Sequence, residues 1–346
     1  MNRAKKNENM GTIDWKNLGF GYSKADFNVR CWYRNGQWGE LEISDSEYVS
    51  MHIGATVLHY GQESFEGLKA FRGIDGKIRV FRMEENAKRM QRSAQGIMMA
   101  EVSTALFSNA VRKAVQLNEA YVPPFESGAS LYVRPLLIGT GPQIGVKASD
   151  EYLFMVMVMP VGPYFKEGFK PTDLVIYREY DRAAPLGTGK IKVGGNYAAS
   201  MVAGDRAHKN GYSAVLYLDA KEKKFIDECG PANFFAIKGN SYITPKSDSI
   251  LPSITNMSLR QLASDMGMKV EERQIAVEEL AEFDEAGACG TAAVISPIKR
   301  IYDADNEIEY LYGTEPGKIS VQLYERLRAI QYGIAADPYQ WTTIIE

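Results

Sequence analysis

Cysteine is scarce. The 346 residues hold three, Cys31, Cys229 and Cys289, none in a C-x-x-C spacing. That excludes a disulfide-stapled fold and fits a reducing cytoplasm. Histidine is equally rare: His52, His59 and His208 stand in no metal-ligand spacing, so no metal centre is expected. Neither sign of charge dominates, since 40 basic against 43 acidic side chains leave a net −3. The electrostatic case for nucleic acid or an anionic membrane is therefore missing. The longest apolar run, "YLFMVMVMPVG" (152–162), is too short to span a bilayer. The opening "MNRAKKNENMGTIDW" is polar, reads as a short leader rather than a signal peptide, and offers Met10 as a second start. No internal repeat or low-complexity tract occurs. What remains is an ordinary globular balance, 45% hydrophobic and 24% charged, long enough for two domains.

Residues 27–80 alternate polar and apolar in short runs broken by Gly and Asn-Gly ("CWYRNGQWGELEI", "AFRGIDGKIRVF"), the pattern of hairpins in an antiparallel sheet. "MEENAKRMQRSAQGI" (83–97) has helical charge spacing. Residues 103–122 carry Leu106, Ala110, Val111, Ala114 and Val115 on one helix face. "ASLYVRPLLIG" and "YLFMVMVMP" read as buried strands. At "VGPYFKEGFKPTD" (161–173) Gly, Pro and charges interrupt the pattern. This gives a smaller N-terminal domain, 1–160, a linker, 161–173, and a larger C-terminal domain, 174–346. The second domain is predicted to hold strands at 173–180, 214–219, 233–237, 269–275 and 290–302, with helices over 197–211, 255–267 and 318–333. The class is α+β, two layers per domain, with mixed or antiparallel sheets.

Four stretches suggest chemistry. "KIKVGGNYAAS" (190–200) sets two lysines before a glycine pair, which permits close approach to a ligand; a turn with solvated lysines is the plainer alternative, and nothing local separates Lys190 from Lys192. "FIDECGPANFFAI" (225–237) puts Glu228 in an apolar run, costly unless a cation faces it, unless it is a hairpin-tip acid near "KEKK". "SILPSITNMSLRQL" (249–262) starts a helix whose first amides suit a phosphate, or where Ser253 is an ordinary N-cap. "ACGTAAVISP" (288–297) is small enough to lie against a flat ligand or a neighbouring strand. A lysine, a carboxylate and a helix terminus are the three handles of pyridoxal phosphate.

Six ordered segments carry a family resemblance: "LHYGQESFEGLKAF" (58–71), "LYVRP" (131–135), "KVGGNYA" (192–198), "ECGPANFF" (228–235), "LPSIT" (251–255) and "GTAAVISP" (290–297). On these the sequence resembles the two-domain fold-type IV pyridoxal-phosphate transaminases (D-amino acid aminotransferase-like fold), and within them the branched-chain amino acid aminotransferases. The resemblance runs from "LGFGY" at 18 to "AIQYG" at 333. It implies transamination of L-leucine, L-isoleucine and L-valine with 2-oxoglutarate by a cytoplasmic homodimer using pyridoxal 5'-phosphate. A D-amino acid transaminase or an aminodeoxychorismate lyase of the same fold is the alternative, and a non-catalytic binding protein on this fold a more distant one.

The resemblance also distributes roles. It selects Lys192 as the catalytic lysine, Glu228 as partner of the cofactor's ring nitrogen and Tyr197 as partner of its phenolic oxygen. Phosphate falls to Arg89, the amides of Ile254 and Thr255, and the Thr291 hydroxyl. The substrate α-carboxylate falls to the amides around Thr291 and Ala292. Phe20, Tyr60, Phe65, Tyr132 and Tyr164 map to the side-chain pocket, with Arg134, Tyr60 and Tyr132 meeting the distal carboxylate of glutamate. Three departures stand out: Asn256 where many relatives have a basic residue, Pro231 where some have threonine, and Ala293 and Ser296 where animal enzymes have a Cys-x-x-Cys pair.

Overall fold

The computed structural model describes residues 13–15, 17–162 and 169–346, so the N-terminal leader, Tyr164 and much of the expected linker lie outside the described residues. The chain forms two compact units, 1–166 with 330–346, and 167–329.

The first unit opens with β1 (Asn28–Arg34), β2 (Gln37–Trp38), β3 (Glu42–Ser44), α1 (Thr56–Tyr60), β4 (Glu63–Phe65), β5 (Leu68–Arg72) and β6 (Ile78–Phe81). Helices α2 (Met83–Gly96) and α3 (Thr104–Leu117) follow, then β7 (Ser130–Gly139) and β8 (Tyr152–Val161). The one-turn helix α1 falls where hairpins were expected. β7 and β8 pair over their full length, Ser130 opposite Val161 through Gly139 opposite Tyr152, and every pairing in this sheet is antiparallel. Leu131, Val133 and Leu137 belong to the buried core with α2 and α3, where Phe107 stacks on Phe154 at 5.9 Å. The strand period of two sends Tyr132 and Arg134 to the opposite face. Pro135 sits in a central strand, where a missing N–H would normally break the ladder. It is tolerated because its other neighbour is the gap between β4 and β5, across which the Glu66 amide donates to its carbonyl at 2.8 Å.

The second unit contains β9 (Thr172–Ile176), α4 (Gly194–Ala199), α5 (Met201–Lys209), β10 (Ala214–Leu218), β11 (Ile226–Cys229), β12 (Ala232–Lys238) and β13 (Ser241–Pro245). It continues with α6 (Ile254–Asp265), β14 (Lys269–Arg273), β15 (Glu285–Gly290), β16 (Val294–Asp303), β17 (Ile308–Leu311) and α7 (Lys318–Gln331). The order β11-β10-β9-β16-β15-β12 closes on itself through an additional β11–β12 pairing, making a barrel. β9 is parallel to both neighbours and the rest of the ring antiparallel, so the sheet is mixed. Alternation works on both sides: Leu174, Ile176, Leu216 and Leu218 join one core, while Val175, Tyr177, Val215 and Tyr217 pack with Ala203 and Ala207 of α5.

Two further sequence expectations change. Residues 291–293 form a tight turn between β15 and β16 instead of continuing a strand, and Val294 closes it with φ +67, a region β-branched residues avoid. The C-terminal residues 330–346, expected with the second domain, belong to the first unit, because β18 (Thr342–Ile345) adds antiparallel to the edge of β6. The β-branched run "TTII" favours a strand but does not name its partner.

Gly287 fixes the packing beside Glu228's strand. Phe235 lies across it, stacked on Tyr242 at 5.2 Å, and a Cβ at Gly287 would stand 2.4 Å from the Phe235 ring. Gly287→Ala is expected to cost about 1–3 kcal/mol by forcing the ring aside, read by urea unfolding of the full chain; unchanged stability would refute the contact.

Candidate active site

Lys192 precedes α4, with Val193 as its extended N-cap. Tyr197 stands at the end of the first turn of α4, and Lys192 Nζ donates to its hydroxyl at 2.6 Å. Lys190 instead pairs with Asp248 at 2.6 Å with its side chain 56% exposed, so the structure separates the two lysines that local sequence could not. The glycine pair begins the helix: neither glycine has left-handed backbone, and a Cβ at Gly195 would meet nothing within 4 Å. The lysine loop is held by Asn196, whose Nδ2 donates to the carbonyls of Thr188 (2.7 Å) and Ile191 (3.1 Å) while Thr188 Oγ1 donates to Asn196 Oδ1 at 2.7 Å.

Glu228 is buried on β11, in register with Asn233 of β12, which is in register with Cys289 of β15. The three therefore share one sheet face. Its Oε1 accepts from the Leu251 amide, and the guanidinium of Arg182 stands 3.6 Å away. Burial pushes the Glu228 carboxyl up to about 7; Arg182, the Leu251 amide and Lys192 pull it down, and Asp227 adds to the rise. Arg182 also donates to the carbonyls of Gly189 (3.0 Å) and Ser249, tying the lysine segment to the loop before α6.

At that loop Ser253 is the N-cap, accepting from the Asn256 amide at 3.2 Å. The Ile254 and Thr255 amides in the first turn then lack intrahelical acceptors. Asn256 does not face outward as a basic residue would. It is buried, accepts from the Tyr242 hydroxyl (2.9 Å), and donates to Asn233 Oδ1 (3.2 Å) and Thr244 Oγ1 (2.8 Å). Asn233 donates in turn to the Leu251 carbonyl at 3.1 Å. Thr291 and Ala292 lie on the turn between β15 and β16.

The first unit carries the other expected residues. Arg89 faces inward from α2, where Glu66 grips it as a fork: Nε and Nη2 each donate to a carboxylate oxygen at 2.7 Å, and Asn86 adds a third donor to Glu66 at 2.7 Å. Four of the six pocket residues assemble. Arg134 lies 4.6 Å over the Phe65 ring and 5.2 Å from that of Tyr132, its Nη2 donates to the Tyr132 hydroxyl at 2.9 Å, and Phe20 meets Tyr132 edge-on at 5.2 Å. Gly67 makes room, since a Cβ there would stand 2.2 Å from the Tyr132 hydroxyl. Tyr60 does not join this cluster. It ends α1 half exposed, with its hydroxyl on the Ile144 carbonyl. Tyr164 lies outside the described residues.

Sequence reasoning missed Arg182, Asn196, Asp227 and Ser249. Asn196 stands inside the glycine motif, but Arg182 in "EYDRAAP" carries no local signal. Among the described residues no His, Cys, Asp or Glu group could hold a metal ion, and no helix is long and apolar enough to cross a membrane.

The amino-transferase class IV family matches residues 63–301. A branched-chain-amino-acid aminotransferase of Helicobacter pylori is 48% identical over 336 residues, 96% of this chain and 98% of that one. Among solved structures, the Escherichia coli branched-chain amino acid aminotransferase superposes with TM-score 0.78 at 26% identity, covering 93% of this chain and all of that one. The branched-chain aminotransferase of the thermophilic archaeon Thermoproteus uzoniensis, solved with norvaline, gives 0.76 at 26% identity, covering 92% of this chain and all of that one. The chain belongs to the class IV aminotransferases, among the branched-chain-amino-acid aminotransferases.

Because Arg182 is the cation that holds Glu228 down, Arg182→Met is expected to raise the Glu228 carboxyl by roughly one pH unit or more. Carbon-13 NMR of glutamate-labelled full-length protein, assigned with Glu228→Gln, reads this directly. An unmoved titration would show that Arg182 has no part in setting it.

Proposed function

We propose that the chain transfers the amino group of L-leucine, L-isoleucine and L-valine to 2-oxoglutarate, working as a cytoplasmic homodimer with pyridoxal 5'-phosphate. The observation that carries the reading is Glu228: a buried carboxyl at about 7, with a phenol-bound lysine amine in the same unit. Such an acid suits a ring nitrogen with which it shares a proton, and the Ile254 and Thr255 amides suit a phosphate. The residues present therefore fit the cofactor. Lys192 would hold it covalently, Glu228 and Tyr197 its ring, and Ile254, Thr255, Arg89 and Thr291 its phosphate.

When bound, that group supplies an electron sink for the pair left at the substrate Cα. The chain supplies the rest. Lys192 Nζ takes the proton from Cα and returns it on the other side of the exchange, oriented by its bond to Tyr197. Glu228, ionised beside Arg182, keeps a proton on the ring nitrogen where electron density accumulates. Thr291 and Ala292 present amides to the α-carboxylate. In the first unit, Phe20, Phe65 and Tyr132 offer apolar faces to a branched side chain, while Arg134 offers a fork to the second carboxylate of glutamate. Apolar walls discriminate by only about 1–3 kcal/mol per methylene, so all three branched substrates should react.

The homodimer is supported by the exposed apolar group of Ile53, Ile144 and Val146, at 83%, 71% and 92%. Three buried free cysteines support a reducing compartment.

Lys192→Ala is expected to abolish turnover of L-leucine with 2-oxoglutarate, and Glu228→Gln to lower kcat about 100-fold or more. L-leucine, D-alanine and aminodeoxychorismate should be assayed side by side; activity confined to either of the last two would retire the reading. Arg134→Ala is expected to raise KM for 2-oxoglutarate roughly tenfold while KM for leucine changes little, and parallel changes in both would remove Arg134 from the distal-carboxylate role.

A further inference from the structure

Loop 247–251 runs between β13 and α6, and buried side chains grip it at Ser249 and Leu251. The Ser249 hydroxyl donates to Asp227 Oδ2 and lies 2.8 Å from the Ser247 hydroxyl. The Ser249 carbonyl accepts from Arg182. Two residues on, the Leu251 amide donates to Glu228 and its carbonyl accepts from Asn233 at 3.1 Å. The loop has no slack on its other side, because a Cβ at Gly189 would stand 2.6 Å from Ser249 Cα and 2.7 Å from the Asp248 carbonyl oxygen.

We propose that Asp227 is a positioning residue for Glu228: its hydrogen bond with Ser249 fixes loop 247–251, and with it the amide of Leu251 that Glu228 needs. Asp227 precedes Glu228 on β11 and is equally buried, 2% exposed each. Only its Oδ2 is engaged; Oδ1 is buried with no hydrogen-bond partner among the described residues. An ionised carboxylate left half-satisfied in the interior is costly. Burial pushes the Asp227 carboxyl up, with Asp219 adding to the rise and Ser249, Ser247 and Arg182 opposing it. The groups facing Glu228 are Arg182, Lys192 and Asp227, and its charge in turn raises the thiols of Cys229 and Cys289. Arg182 is thus a single buried cation between two adjacent acids. Asp227 anchors the loop through its hydrogen bond with Ser249, while Arg182 acts on both acids.

The inference rests on the proposed function for Glu228's part in the reaction. The test uses the full-length holoenzyme with Asp227→Ala, Asp227→Asn and Ser249→Ala. It reads the acid limb of kcat/KM for leucine and the dissociation constant of pyridoxal 5'-phosphate. With the anchor removed, Glu228 loses its amide donor and its carboxyl rises. In Asp227→Ala the acid limb is expected to move up by about one pH unit and the dissociation constant to rise roughly tenfold. Asp227→Asn, which can accept the same hydrogen bond without charge, is expected to restore both to within about twofold. Should Asp227→Ala fail to fold, Ser249→Ala breaks the same link from the loop side and must give the same shift. Unshifted profiles in Asp227→Ala and Ser249→Ala, or an Asn variant as shifted as the Ala one, would overturn the proposal. A wild type that binds no pyridoxal 5'-phosphate would fail the functional reading itself, which the variants' relative shifts do not address.

Discussion

The second unit is organised around one burial, that of Glu228. Removing a carboxylate from water costs several kcal/mol unless partners replace the lost hydration. Here a backbone amide from loop 247–251 and a guanidinium at 3.6 Å do so, the second through charge more than through a hydrogen bond. Partial compensation is what leaves the carboxyl at about 7. A fully satisfied acid would sit far lower and hold its charge indifferently; an unpaired one would stay protonated. The intermediate value follows from architecture. β11 is where the barrel closes, and the β11–β12 turn with Gly230 in left-handed backbone brings Asn233 opposite the acid.

The first unit buries a second acid and surrounds it with more hydrogen-bond donors. Glu66 is fully buried in the gap between β4 and β5, yet it receives a two-pronged guanidinium and a side-chain amide, each at 2.7 Å. A bidentate, well-satisfied pair of this kind rigidifies its members. Arg89 is thereby held in one orientation on α2, whose acidic first turn, Glu84 and Glu85, favours the helix start. The same gap lets Pro135 occupy a central strand and frees the space at Gly67 into which the Tyr132 hydroxyl projects. One interruption within the sheet thus orders a cation and an aromatic–arginine cluster.

Elements were largely legible in the sequence because their periodicities are local. The helix over "MEENAKRMQRSAQGI", the apolar stripe of α3, and the paired strands β7 and β8 each declare themselves within a few residues. Glu228 stood out for the same reason, as an acid among apolar neighbours, whereas Lys192 was told from Lys190 only by the family resemblance. What was not legible depends on partners distant in sequence. Arg182 matters only because Gly189, Ser249 and Glu228 converge on it, and Asn256 only because Tyr242, Thr244 and Asn233 surround it. Asn256, noted from sequence as standing where many relatives have a basic residue, is in the fold a buried polar junction between α6 and the strands β12 and β13. The turn at 291–293 escaped notice because Val294 is strongly β-forming and adopts a backbone it ordinarily avoids. The return of 330–346 to the first unit is a topological fact, and no local pattern encodes it.

The aromatic–arginine cluster bears on how one pocket serves two kinds of side chain. Under the proposed function, a branched aliphatic group and a carboxylate-bearing one take turns in the same space. A bare guanidinium beside an aliphatic group would be a desolvated charge without compensation. Arg134 avoids this by lying on the faces of Phe65 and Tyr132 and donating to the Tyr132 hydroxyl. Cation–π contacts of this sort are worth about 0.5–2 kcal/mol, enough to satisfy the cation while the walls stay apolar. They remain weaker than a bidentate carboxylate bond, whose hydrogen bonds to charged groups contribute about 1.5–3 kcal/mol each. A carboxylate can therefore outcompete the rings without the rings having to move, because Arg134 keeps donors that the rings do not use. The position of Gly67 secures that resting arrangement: any side chain there would displace the Tyr132 hydroxyl, and the arginine would lose its neutral-state partner before a substrate arrived.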